Sequence, residues 1–287
     1  MKRTVHLFSI LLLSYILFSC DNNNNSNNDL LTTEPDIPAV QTIQPDLSPI
    51  VLPIVLFNNN QGKQNITNAI GQNFIEARQR AAVIGSFLGL NAAFPASLIG
   101  AASSTDAEMT SPGVWEWNFM YRNPLTNGNV ESNLIATIDA DSGSVSWQLL
   151  LDANSTLIEF QDFEILNGIS TVDGSAGQWD INVFSPETGN ENVATTSEWS
   201  FNTDSLLTLT STIQLEFSPL SGDEFSFEQQ DSTSTLTFSD SSEARTTQIT
   251  WKTADSAGQL IAPNFNNGDP ACWDANKEDI ACDAIVF

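Results

Sequence analysis

Residues 206–217 read LLTLTSTIQLEF, a run in which apolar and polar side chains alternate. Leu207, Leu209, Ile213 and Phe217 fall on one face of an extended chain, and threonines occupy most of the other face. Because successive side chains of a β-strand point to opposite faces, this period of two predicts a strand with one buried face.

The same alternation recurs along the chain, at 115–121, 145–151 and 179–183, and over shorter lengths at 225–227, 236–238 and 249–251. Turn-forming pairs such as Asn127-Gly128 and Asp173-Gly174 separate several of these runs. Regular hairpin spacing with one apolar face predicts an antiparallel meander, with about ten strands between residues 113 and 262.

A helical pattern precedes the strands. Seven apolar residues follow one another at spacings of three or four, namely Ile66, Ile70, Phe74, Ala77, Ala81, Ile84 and Leu88. This stripe predicts an amphipathic helical segment within residues 65–104. A long sheet twists and curls, and its apolar face needs a cover. We therefore predict a mainly β fold, a long antiparallel meander curled into an open or incomplete barrel, with the helical segment packed on its concave face.

The helical segment carries no charged residue from Ala81 to Thr105, which leaves insertion into a membrane as an alternative. Small residues at four-residue spacing, among them Gly85 and Gly89, are typical of close helix crossings in bilayers. Pro95 and several polar residues interrupt the run, so we favour burial against the sheet. We expect Pro95 to end or kink the helix.

The first twenty residues read MKRTVHLFSILLLSYILFSC. Lys2 and Arg3 precede an apolar run over 7–18 that is short for a membrane span, which is the pattern of a secretory signal peptide. The sequence Leu-Phe-Ser-Cys at 17–20 closes this run and resembles the lipobox of bacterial lipoproteins. The resemblance implies cleavage after residue 19 and a diacylglycerol on the thiol of Cys20. A soluble secreted protein is the alternative.

A lipidated Cys20 implies a cell-envelope protein anchored in a membrane, on its periplasmic face or at the cell surface. Asn- and Pro-rich sequence follows it, and we expect residues 20–50 to form a disordered tether. The expected organisation is a signal peptide at 1–19, this tether, and a single domain over 51–287. That domain comprises the helical part at 65–104, the β part at 113–262 and a tail at 263–287.

Acidic residues dominate the charge, because 35 Asp and Glu stand against 9 Lys and Arg and give a formal net charge of −26. Nucleic acids and anionic lipid surfaces both require a basic footprint, so neither is expected as a partner. The acidic balance favours solubility, and a cation-collecting surface is the alternative.

Two cysteines, Cys272 and Cys282, lie ten positions apart near the C-terminus. With the Cys20 thiol acylated, as the lipoprotein resemblance implies, these two remain in an oxidising compartment and favour a disulfide that closes the tail. A metal pair is the alternative, and it is disfavoured because zinc requires more cysteine or histidine ligands.

Cleavage after residue 19 removes His6, the one histidine of the chain, and with it Ser-His-Asp, Cys-His and histidine–zinc chemistry. The sequence has no Gly-rich phosphate-binding motif, and we expect neither a cofactor nor a metal. Carboxylate pairs of the glycosidase type remain as an alternative. Asp139, Asp141 and Gly143 lack the further calcium ligands of an EF-hand and are typical of a hairpin turn.

These patterns favour a non-catalytic envelope lipoprotein that binds a lipid or another apolar ligand in the barrel. In outline the architecture is similar to the periplasmic carrier lipoproteins, whose half-open barrels hold acyl chains. The candidate lining consists of Trp115, Trp117, Trp147, Trp179 and Phe217, and a solid core made of the same residues is the other interpretation. The alternative functions are a surface adhesion or glycan-binding module and a carboxylate-based hydrolase.

Overall fold

The structure is a computed structural model that describes residues 30–43, 47, 49–50, 70–122, 129–154, 159–185, 190–201, 207–215, 218, 220–285 and 287. Its one long helix is α1 (Gln72–Ala102). The strands are β1 (Glu108–Ser111), β2 (Val114–Arg122), β3 (Asn129–Asp139), β4 (Ser144–Asn154), β5 (Glu159–Thr171), β6 (Ala176–Ser185), β7 (Asn190–Phe201), β8 (Leu207–Ile213), β9 (Glu224–Gln230), β10 (Thr233–Asp240), β11 (Arg245–Lys252), β12 (Gly258–Ile261), β13 (Ala271–Trp273) and β14 (Asp279–Ile280).

All fourteen strands belong to one antiparallel sheet, and their order in the sheet is their order along the chain. The predicted meander is therefore confirmed, although we expected about ten strands. The additional strands lie mainly at the two ends of the sheet. These end strands are short: β1 and β12 have four residues each, β13 has three and β14 has two. An alternating pattern cannot be recognised over so few residues.

The sheet curls around α1. The helix contacts β2 near one end of the strand order and β12, β13 and β14 at the other end. Neighbouring strands lie about 4.8 Å apart, so a flat sheet would hold these strands far from each other. Within the described residues β1 does not pair with β14, so the barrel is open. This arrangement confirms the predicted fold class, with the helix on the concave face.

Glycines make room for tryptophan rings on the concave face. Gly168 on β5 lies opposite Trp147 on β4 and Trp179 on β6. A Cβ at Gly168 would overlap the ring of Trp179, and a Cβ at Gly177 would overlap that of Trp199 on the next strand. These glycines inside strands therefore mark close approach of an indole ring, as interior strand glycines often do.

The described residues between Leu30 and Ile50, here called the strap, pack against the sheet. Ile43 and Ile50 are fully buried in the main core. The hydroxyl of Thr42 accepts a hydrogen bond of 3.1 Å from Nε1 of Trp179. We expected residues 20–50 to be a disordered tether, and this expectation is corrected for the strap. Burial of its aliphatic side chains offsets the entropy cost of ordering it.

Helix α1 lies within the predicted segment at 65–104. Phe74 and Ala81 of its predicted apolar stripe are buried, whereas Ile70 precedes the helix and is exposed. Pro95 lies inside α1 and does not end it. No helix in the described ranges combines the length and the apolar character that a membrane span requires.

The tail is closed by the predicted disulfide between Cys272 and Cys282. The loop inside it reaches the start of α1, where the carboxylate of Asp279 accepts hydrogen bonds from the N–H groups of Gln72 (3.0 Å) and Asn73 (2.9 Å). The first N–H groups of a helix have no partner within the helix, so Asp279 acts as a cap supplied from a distant part of the chain. The tail thereby holds the N-terminal end of α1 in place.

Candidate functional site

A cleft separates the N-terminal half of α1 from the concave side of β9, β10 and β11. We call it the helix cleft, and its volume is about 410 Å³. This lies toward the lower end of the range of roughly 300–1,000 Å³ that is typical of small-molecule sites. Val83 and Ile84 of α1 form one wall, and Phe225, Phe238 and Thr247 of the strands form the other.

The walls of the helix cleft are mainly apolar. Phe225 and Phe238 are cross-strand partners on β9 and β10, and their rings stack with centroids 4.9 Å apart. Leu220 and Pro263 extend this surface on either side. The period of two along β9 and β10 turns these rings toward the helix.

Charged side chains surround the mouth of the cleft, namely Glu76 and Arg80 of α1 and Asp240, Glu243 and Arg245 around the turn between β10 and β11. Nη2 of Arg80 lies 3.5 Å from Oε2 of Glu76. Nη1 of Arg245 lies 2.7 Å from Oε2 of Glu243 in an exposed ion pair. The cleft therefore joins an apolar interior to a charged rim.

Asp240 is occupied by its own turn. Its Oδ1 accepts hydrogen bonds from the hydroxyl of Ser242 (2.7 Å) and from the backbone N–H groups of Ser242 and Glu243 (both 2.9 Å). These bonds, with that of the Ser242 hydroxyl as the largest effect, hold the pKa of Asp240 below its ordinary value. Asp240 is thus an ionised group whose Oδ1 is occupied by its own turn.

The predicted lining residues lie elsewhere. Trp117, Trp147 and Trp179 are almost completely buried, and their rings contact in series with centroids 5.9 and 6.3 Å apart. Trp115 is partly buried and packs against the same core. These four side chains belong to the main hydrophobic core or pack against it, and they do not line the helix cleft. Phe217 lies outside the described residues.

The sequence predicted the orientation of the two phenylalanines of the cleft but not the space in front of them. Phe225 and Phe238 belong to the short alternating runs at 225–227 and 236–238, which predicted that they face inward. The space in front of them depends on the line along which α1 crosses the sheet, and a strand pattern carries no signal for that. Arg80 gave no signal either, because a single arginine on a helix is an ordinary surface residue.

A second depression lies on the outer face of the sheet and contains the carboxylates of Glu131, Asp152 and Asp162. Oδ1 of Asp152 accepts a hydrogen bond of 2.7 Å from the N–H of Asp162. Among the residues that the structure describes, no group of three or more His, Cys, Asp or Glu side chains could hold a metal ion. The three acidic residues are exposed, so the depression does not provide the buried carboxylates that would favour the hydrolase alternative.

Asp139, Asp141 and Gly143 form a hairpin turn between β3 and β4. The carboxylate of Asp139 accepts hydrogen bonds from the N–H of Asp141 (3.0 Å) and the hydroxyl of Ser142 (2.7 Å). The Ser142 bond first, and then the Asp141 bond, lower the pKa of Asp139. Gly143 has a φ of 67°, a conformation that favours glycine. The turn explains this pattern without a calcium ion.

The predicted lipidation residue Cys20 and the predicted signal peptide at 1–19 lie outside the described residues.

Comparison of the chain with protein-family models, curated proteins and solved structures found no match. The candidate site therefore rests on the geometry and chemistry of the helix cleft.

Proposed function

We propose that the chain is a non-catalytic cell-envelope lipoprotein that binds a lipid or another apolar ligand in the helix cleft. The observation that carries this proposal is a cleft of about 410 Å³ with apolar walls between α1 and the sheet. Apolar surface left in water costs about 25 cal/mol per Å². Val83 and Pro263 are exposed at the cleft and Phe238 is half-buried, so a ligand that covers them removes this cost, which gives apolar molecules their affinity for the cleft.

The side chains at the cleft favour binding over catalysis. Its described lining offers one hydroxyl, that of Thr247, and neither histidine nor lysine that would activate it as a nucleophile.

A glycan-binding module was expected to use exposed tryptophans. Trp117, Trp147, Trp179 and Trp251 are instead fully buried, so the glycan alternative has less support.

The proposed lipid anchor would hold the cleft close to a membrane. The strap is packed on the domain from Leu30 onward, so only residues 21–29 separate Cys20 from the packed chain. A fully extended chain spans at most about 3.6 Å per residue, which limits this distance to roughly 35 Å. A protein held at that distance has a bilayer as its nearest source of apolar ligands.

A matched pair of variants tests the proposal. Thr247 lines the cleft, whereas its neighbour Thr246 is exposed and, as the next residue of β11, points to the opposite face. Thr247→Trp should fill the cleft and abolish binding of the neutral fluorescent dye N-phenylnaphthylamine to the full-length protein. Thr246→Trp should bind the dye like the wild type. Absence of dye binding to the wild type, or equal binding by both variants, would refute the proposed site.

A further inference from the structure

The helix cleft contains a cation with unused hydrogen-bonding capacity. Nε of Arg80 is buried and has no hydrogen-bond partner among the described residues. The contact between Arg80 and Glu76 is 3.5 Å long, well beyond the roughly 2.7–2.9 Å of a charge-assisted hydrogen bond. A guanidinium carries five N–H donors and stays charged at every physiological pH. Nε itself is shielded from the cleft, but Arg80 lines the cleft and its side chain is 23% exposed, so an incompletely paired guanidinium lies at the rim of an apolar cleft.

The acidic groups at the same rim are better satisfied. Asp240 accepts three hydrogen bonds from its own turn. Glu243 pairs with Arg245 at 2.7 Å, and Oε1 of Glu76 accepts a hydrogen bond of 3.2 Å from Nε2 of Gln72. The unmet requirement at the rim is consequently for an acceptor, and an anionic acceptor matches a guanidinium best.

Two basic residues meet at this cleft. Arg80 and Arg245 line this one cleft, although the whole chain has only nine Lys and Arg against 35 acidic residues. The Arg245–Glu243 pair is exposed on both sides, and exposed pairs of this kind are weak, about 0–1 kcal/mol. Arg245 can therefore turn toward a ligand at little cost.

We propose that the ligand is a single-chain amphiphile with an anionic headgroup, a carboxylate or a phosphate. Its chain lies between α1 and the stacked rings of Phe225 and Phe238, and its headgroup accepts hydrogen bonds from Arg80, with Arg245 as the second cation. The cleft volume of about 410 Å³, toward the lower end for ligand sites, suits one chain rather than several. This inference rests on the proposed function and assigns a ligand class to the same cleft.

The test compares ligands of equal chain length on the full-length protein. Decanoate, decyl phosphate and decanol are titrated against bound N-phenylnaphthylamine below their aggregation concentrations. A charge-assisted hydrogen bond predicts that at least one of the two anions displaces the dye about tenfold more tightly than decanol does. Comparison of decanoate with decyl phosphate then identifies a fatty-acid-like or a phospholipid-like headgroup.

Variants assign the effect to Arg80. Arg80→Gln should remove the advantage of the anions and leave decanol binding unchanged. Arg78→Gln removes the same charge from the same helix outside the cleft, and it should behave like the wild type. Glu76→Gln takes away the carboxylate nearest Arg80 and should tighten anion binding a few-fold. This gain of affinity keeps the test valid if Arg80→Gln fails to fold.

The outcomes separate this inference from the proposed function. Equal affinity of the wild type for decanol and for both anions would overturn the inference while the apolar site stands. An anion advantage that survives in folded Arg80→Gln, or Glu76→Gln without effect, would also overturn it. Failure of the dye and of all three ligands to bind would overturn the proposed function itself.

Discussion

Replacement of Asp279 by alanine removes the cap of α1, and the size of the effect follows from its contacts. The carboxylate accepts hydrogen bonds of 3.0 Å from Gln72 and 2.9 Å from Asn73, and its charge lies at the positive end of the helix. Loss of a capping side chain costs about 0.5–2 kcal/mol. In a domain of this size each kcal/mol lowers the melting temperature by about 2–4 °C. We therefore expect Asp279→Ala to melt roughly 1–8 °C below the wild type in calorimetry.

Two comparisons complete this experiment. Asp283→Ala removes an exposed carboxylate from the same tail, and in the described structure it breaks no hydrogen bond to α1, so its melting temperature should match that of the wild type. The double variant Cys272→Ser/Cys282→Ser opens the loop that carries Asp279, and in this background Asp279→Ala should cost less. An unchanged melting temperature of Asp279→Ala would refute the cap. Equal costs in both backgrounds would refute the role of the disulfide in holding it.

Three further changes test the core, the anchor and a turn. Gly168→Ala places a methyl group 2.9 Å or less from an indole ring of the neighbouring strand, so the free energy of unfolding in urea should fall by about 1–3 kcal/mol. Gly100→Ala in α1, whose nearest contact is 3.7 Å away, should raise the free energy of unfolding by about 0.5–1 kcal/mol. A reversal of these signs would contradict the packing. Cys20→Ser should abolish labelling with an alkyne-tagged palmitate and release the chain from membranes, whereas persistent labelling would contradict the anchor. Hydrogen bonds, of which the one from the Thr171 hydroxyl has the largest effect, lower the pKa of Asp173 below 3.8 in the folded protein. The ionised carboxylate therefore stabilises the fold above pH 3.8, and this stabilisation is lost as the pH falls through the folded-state pKa. The stability deficit of Asp173→Asn at pH 7 should therefore shrink as the pH falls below 3.8, and a deficit that stays constant down to pH 2 would contradict this assignment.

The strands of the meander could be predicted because each long strand carries its own period of two. The run at 206–217 is the clearest case, and within it β8 pairs with β7 and β9 as a hairpin chain requires. Strands β13 and β14 could not be predicted, since three and two residues carry no period. Their place is set by the disulfide and by contacts with α1, which are long-range effects.

The strap and the cleft could not be predicted from the sequence, for a different reason. Ile43 and Ile50 stand in a Pro-rich context without a regular period, and the partner of Thr42, Trp179, lies 137 positions away. Composition alone therefore indicates disorder where tertiary contacts impose order. The period of two along the strands correctly predicted that these tryptophans face inward. Whether space remains beside a ring depends on the packing of all its neighbours, which the period does not indicate. The rings of Trp147 and Trp179 fill their space, and the free space lies beside Phe238.

Native mass spectrometry of the full-length protein, extracted gently from its own envelope, tests the central claim most directly. We predict that the wild-type protein carries, beyond the lipid on Cys20, one single-chain anionic amphiphile. The same species should remain on Thr246→Trp and be lost from Thr247→Trp. A wild-type protein whose mass is that of the lipidated chain alone, with nothing bound beyond its anchor, would contradict the claim that the helix cleft is a ligand site.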